Sequence, residues 1–274
     1  MDIFHCSFLI YVLLTAFFVS ILCGTIGTFV VVNRMIFLSG GIAHAAYGGV
    51  GLAFFLGTPV IPTTMIFTLL VSFLLAHLTF NRLSILDSLI GLIWVGGMAL
   101  GIILTDLSPG YNVDLMSYLF GNLLSVSKET VLSLGIFTLF LLFFIFFNYK
   151  KLWIMSYDME YAKTRGINVR FYYYFFTILV GICVVLLIQF IGLLLVIALF
   201  SIPTLTSEKL VNSFGKMMLL SVLFALLYSY LGIYISFVFN LSSGASIILI
   251  GILICGLINL IKKANNPLFL RIRR

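Results

Sequence analysis

Long runs of apolar residues dominate the chain, and most are close to the length a helix needs to cross a bilayer, about 20 residues. The segments are Ser7 to Val32, Ile42 to Leu56, Thr63 to Phe80, Ser88 to Thr105, Thr130 to Asn148, Phe171 to Ile188, Phe190 to Phe200, Met217 to Phe239 and Ala245 to Ile261. A soluble domain is about half apolar and a quarter charged. Here 63% of residues are hydrophobic and 8% charged, so a water-soluble enzyme is excluded and lipid is the solvent. The expected fold is all-α: a polytopic bundle of eight or nine transmembrane helices with short loops, one membrane domain spanning residues 1–274. The second and seventh segments are short. The stretch from Phe171 to Pro203 would be about 50 Å long as one helix, too long for one span and tight for two, which leaves the count at eight or nine. The first segment lacks a basic leader and has Ile21 and Leu22 before Cys23, where cleavage would require small residues. It is expected to be retained as a helix.

Lysine and arginine collect in cytoplasmic loops and therefore test the count. With nine spans and an outside N-terminus, the inside loops carry Arg34, Arg82, the group from Lys150 to Arg170, Lys209, Lys216, and the group from Lys262 to Arg274. That is fourteen of the fifteen basic residues. Only Lys128 falls outside, in the loop from Asp106 to Glu129, whose second apolar stretch, Leu115 to Leu124, reads as re-entrant or interfacial. Fusing the sixth and seventh segments would invert everything after Pro203, so the charges favour nine spans in a cell membrane with a cytoplasmic C-terminus.

Catalytic signatures are missing. Gly215-Lys216 continues to Met217 with Leu210 where a phosphate loop needs glycine, and there is no GxSxG or HExxH. The chain is not expected to be an enzyme, to hold a cofactor or to bind nucleic acid. Cys6, Cys23, Cys183 and Cys255 are far apart in apolar segments, without metal-ligand spacing. A membrane protein with no site for chemistry moves something.

The chemically loaded segment is SGGIAHAAYGGVGLAFFLG, residues Ser39 to Gly57. His44 stands among Gly40, Gly41, Gly48, Gly49 and several alanines. Small residues allow helices to approach closely in lipid, and an imidazole in such an interface needs a partner or a function. Neutral imidazole is the commonest metal ligand. A hydrogen bond to a neighbouring carbonyl that locks packing explains His44 equally well at this stage. His5 and His77 read as interfacial, and Gln189 as a helix-to-helix hydrogen-bonding group. A second distinctive stretch, SYDMEYAKTRGINVR, places Asp158 at the start of a short polar helix, Ala162 inside it and Gly166 at its end.

This glycine-rich histidine segment resembles the second-helix signature of the zinc/manganese-type permeases of ATP-binding-cassette (ABC) metal importers. Five further stretches are similar in the same order: DSLIGLIWVGGMALGIIL from Asp87, VDLMSYLFGNLLSVS from Val113, DMEYAKTRGI from Asp158, GLLLVIALFSIPTLTSE from Gly192 and LSSGASIILI from Leu241. The resemblance implies a permease that forms a homodimer, sits on two separate ATPase subunits and receives a divalent cation from an extracytoplasmic binding protein. His44 is then the metal contact, and Asp158, Glu160, Ala162 and Gly166 belong to the ATPase-coupling segment, with Ala162 facing the ATPase. Gly40, Gly41, Gly48 and Gly49 pack helices along the route. The chain departs from the family pattern at Gly40, where an acidic residue is usual, one helical turn before the histidine. Asp106 and Asp114 are the outer-side candidates to replace that carboxylate. Permeases for siderophore or cobalamin chelates are the nearest alternative, and they are usually longer. A secondary metal transporter would be expected to carry charges inside its spans, whereas the charges here lie in loops.

Overall fold

The structure is a computed structural model that describes residues 7–80, 86–108, 121 and 126–265. The described residues form nine helices: α1 (Ser7–Val32), α2 (Ile36–Leu56), α3 (Val60–Thr79), α4 (Leu86–Asp106), α5 (Lys128–Tyr157), α6 (Met159–Thr164), α7 (Val169–Glu208), α8 (Phe214–Phe239) and α9 (Ser243–Asn265). Eight of them are long and apolar enough to cross a membrane; α6 is the short exception. Most outrun the apolar segments at one or both ends, because polar interfacial residues continue the helix after the apolar run stops. Several hydroxyls within the spans bond to their own helix. Ser20, Thr28 and Thr138 each donate to the carbonyl four residues earlier at 2.7 Å, a pattern that satisfies the side chain locally.

The tightest constraint on the architecture lies inside α7. Gly192 has φ 73° and ψ 162°, a conformation that favours glycine and interrupts the helix. Phe176 packs its ring 5.5 Å from that of Phe29 on α1, while Phe200 presses its backbone against Gly27, two residues away on the same helix. A continuous helix would hold residues 176 and 200 about 36 Å apart. The chain therefore folds back at Gly192 into a rising limb, 169–191, and a returning limb, 193–208. The rising limb runs antiparallel to α3: Tyr173 hydrogen-bonds Thr79 at 2.8 Å, Gly181 sits against Ser72, and Ile188 and Gln189 lie beside Val60 and Thr64. By hydropathy α7 is one apolar stretch, and by geometry it makes two passes. The described residues thus make nine passes.

The remaining directions follow from paired contacts. Asn33 at the end of α1 donates to Ser156 near the end of α5 at 2.9 Å, and Tyr157 lies 6.3 Å, ring to ring, from Phe214 at the start of α8. Ser207 and Ser221 share a 2.6 Å hydrogen bond where the returning limb meets α8, and Lys209 bonds Asn259 of α9. These contacts place Arg34, Lys150, Lys151, Lys163, Arg165, Arg170, Lys209, Lys216 and Lys262 at one end of the bundle and Lys128 at the other. The charge asymmetry read from the sequence is thus a physical face among the described residues. The core runs along α1 and both limbs of α7, where Leu22, Ile26, Val184, Leu187, Val196 and Phe200 are fully buried.

Candidate functional site

The small residues of α2 are used for close approach. A Cβ on Gly48 would lie 2.9 Å from the Gly97 carbonyl oxygen of α4, Gly51 meets the backbone of Gly101, and a Cβ on Gly97 would lie 2.7 Å from the Ala45 Cα. A Cβ on Gly41 would lie 2.5 Å from Ile90, and one on Gly49 would lie 2.9 Å from Thr64 of α3. α2 and α4 run side by side in the same direction with their backbones in contact, the small-residue packing that lipid favours. Gly40 differs from this set. A Cβ there would meet only Ile197 Cδ1 at 3.6 Å and Trp94 Cζ3 at 3.9 Å, which is ordinary contact. Gly41, Gly48 and Gly49 each sit where a neighbouring helix approaches closely, whereas no backbone approaches Gly40.

Close packing of α2 on α4 brings His44 onto Trp94. The rings are stacked, with centroids 4.0 Å apart and planes 15° apart, and Phe37 backs the indole at 5.6 Å. His44 is half-buried, and its Nδ1 is buried without a hydrogen-bond partner. A histidine held only for packing would give that nitrogen a carbonyl or hydroxyl. The helix-locking explanation therefore lacks its bond. Ile197, from the returning limb, closes the side of the site next to Gly40. Three elements, α2, α4 and α7, thus converge on one imidazole.

Among the described residues, no second ligand joins it. Asp106 is exposed at the far end of α4, about 18 Å of helix beyond Trp94, so it does not replace the carboxylate missing at Gly40. Asp114 lies outside the described residues. Among the described residues no group of three or more His, Cys, Asp or Glu could hold a metal. His77 donates to or accepts from Tyr174 at 3.0 Å at the basic end, an interfacial position; His5 lies outside the described residues. Gln189 lines a small, largely apolar cavity with Thr64, Val60, Ala46 and Val50, on the face of α2 turned away from His44.

The short polar helix forms where the sequence indicates. Asp158 caps α6 by accepting from the backbone N–H groups of Glu160 and Tyr161, each at 2.9 Å, the usual way to satisfy a helix N-terminus. Gly166 follows with φ 73°, a position where a Cβ would be strained. Ala162 is fully buried in the chain's own core, so it faces inward rather than toward a partner, because its small side chain allows α6 to lie flat on the bundle. The outward surface is made by Met159, Tyr161 and the Glu160–Lys163 ion pair at 2.7 Å, with Arg165 stacked over the Tyr161 ring.

Sequence reasoning missed Trp94. The available signal was its rarity: the chain has two tryptophans, and this one sits in the glycine-rich fourth span opposite the histidine.

The comparisons with known proteins agree with this architecture. The ABC 3 transport family matches residues 5–262. An uncharacterized membrane protein of Synechocystis sp. is 38% identical over 232 residues, covering 85% of this chain and 83% of that protein. The manganese transport system membrane protein MntC of Halalkalibacterium halodurans is 33% identical over 245 residues, covering 89% of this chain and 84% of its own length. Among solved structures, PsaBC from Streptococcus pneumoniae in complex with Fab superposes with a TM-score of 0.83 at 31% identity, covering 93% of this chain and 92% of that one. A nine-pass apolar bundle, a capped polar helix at its basic end and a family match over nearly the whole length make this chain a member of the ABC 3 transport family.

Proposed function

We propose that this chain is the permease subunit of an ABC importer that carries a divalent transition-metal ion, zinc, manganese or iron, across the plasma membrane into the cytoplasm. The observation that carries the reading is His44: an imidazole at bilayer depth, its Nδ1 buried and unpartnered, in a chain of this family. Relatives described as manganese transport proteins support the cargo class. An ion on this route is cargo, so weak ligation suits it, since release must follow capture.

The partners follow from surfaces. With no phosphate loop, energy comes from a separate ATPase, and α6 at the basic, cytoplasmic end is the element it grips, with Asp158 and Gly166 fixing the helix ends and Glu160 on the outer surface. An extracytoplasmic metal-binding protein delivers the ion at the opposite end. The face carrying His44, Trp94 and Phe37 is half-exposed in the single copy. A polar ring facing lipid is costly, so a second copy covers it. The test is reconstitution of the chain with its ATPase and binding protein in liposomes. ATP-dependent accumulation of zinc, manganese or iron is the expected result, and the absence of uptake for all three with intact ATP hydrolysis would overturn the reading.

A further inference from the structure

The ring of His44 is oriented in an unusual way. A metal-ligating histidine generally donates its second nitrogen to a carboxylate, a carbonyl or water, and that bond fixes the ring. Here no protein group among the described residues bonds Nδ1. What fixes the plane instead is Trp94, stacked at 4.0 Å and 15° and itself backed by Phe37. The same indole reaches to 3.9 Å from the point where a Cβ on Gly40 would begin. A carboxylate rising from position 40 would therefore run along Trp94 toward His44; in this chain that space is bounded by the indole and by Ile197. Among the described residues, no hydrogen bond or ion pair brings a carboxylate to this ring. On α4, Asp87 stands about 10 Å of helix before Trp94 and Asp106 about 18 Å beyond it.

We infer that Trp94 is the positioning residue of the metal route: it holds His44 for ligation beside a glycine, Gly40, that offers no carboxylate. This makes the chain selective for imidazole-preferring ions, zinc foremost, over manganese. The inference rests on the proposed role of His44 and names the substrate class within it. Its chemical basis is ligand preference: imidazole suits zinc, iron and nickel, whereas manganese is held best by carboxylate, carbonyl and water oxygens. Similarity to manganese transporters therefore does not carry their cargo over to this chain, because glycine at position 40 removes one hard anionic donor that manganese would favour.

Two measurements test it. In the full-length chain in lipid nanodiscs, Trp153→Phe leaves Trp94 as the only tryptophan. Cobalt, a paramagnetic stand-in for zinc, should quench it saturably, zinc should restore the emission, and His44→Gln should remove the saturable quench. In the reconstituted transporter, zinc should half-saturate uptake at a concentration about tenfold below manganese. Trp94→Ala should raise the half-saturating zinc concentration about tenfold, the scale of losing a group that orients a ligand, while Trp94→Phe, which still stacks, should largely restore it. Gly40→Asp should shift the preference toward manganese. Equal half-saturation for the two metals, or a zinc-to-manganese ratio unmoved by Trp94→Ala, would overturn the inference and leave the permease reading standing. A quench unaffected by His44→Gln would remove the metal from His44 and sink both the site and the inference. Loss of all metal uptake in the wild-type system would instead sink the proposed function.

Discussion

Gly27 of α1 touches Phe200 of the returning limb backbone to backbone, so closely that a Cβ on Gly27 would collide with the Phe200 carbonyl oxygen. The contact ties the reversed half of α7 to the first helix. Substituting Gly27 by leucine should cost about 1–3 kcal/mol, the usual scale of overpacking, and should lower the melting temperature in detergent. Gly40→Ala, where only ordinary contacts wait, should leave it within error. Equal melting temperatures for Gly27→Leu and the parent would mean that the two helices are not packed in this way.

His44→Gln keeps a hydrogen-bonding side chain of similar reach but ligates these metals poorly. Metal uptake by the reconstituted transporter should fall at least about tenfold, as for loss of a ligand group, with normal amounts of protein in the membrane. Uptake at the parental rate across a concentration series would reduce His44 to a packing residue.

On the coupling helix, the inward position of Ala162 separates two kinds of variant. Ala162→Arg should disrupt docking of α6 on its own bundle and reduce assembled protein. Tyr161→Ala, on the exposed surface, should instead leave assembly intact and uncouple ATP hydrolysis from transport. Asp158→Ala removes the cap and should cost the helix about 1 kcal/mol, giving an intermediate loss of coupling. If Tyr161→Ala and Glu160→Ala both hydrolyse ATP with unchanged cargo stimulation, α6 is not the gripped element.

Orientation can be read by labelling single cysteines in intact cells with a membrane-impermeant maleimide. A cysteine at position 128 should be labelled from outside, whereas cysteines at positions 163 and 216 should be labelled only after the membrane is opened. Strong external labelling at 163 would reverse the proposed orientation of the bundle.

Most of the architecture was legible because lipid forces a simple code: an apolar run must be a helix, and lysine and arginine mark one end. The ambiguity fell on α7, where hydropathy is continuous through Gly192 and only a backbone angle makes the reversal. One glycine among 23 carries no compositional signal, yet the charge asymmetry registered its effect by requiring an extra pass. The site was half legible. His44 stood out as an imidazole among small residues, whereas Trp94 became its partner only once Gly48, Gly51, Gly97 and Gly101 set the register between α2 and α4. Ala162 was misread in its direction, since its small size serves contact with the chain itself as well as it would serve a partner.

The fold-back at Gly192 also dictates an order of assembly. The turn leaves peptide groups without helical partners, and the backbone of Gly121 is seated directly on the Ile191–Gly192 linkage. Gly121 precedes the turn in the chain, so this covering residue is synthesised before the hairpin emerges. A fragment beginning at Val169 would have to insert the same hairpin bare, and a chain permuted to place α7 first would have to hold it open until its cover arrived.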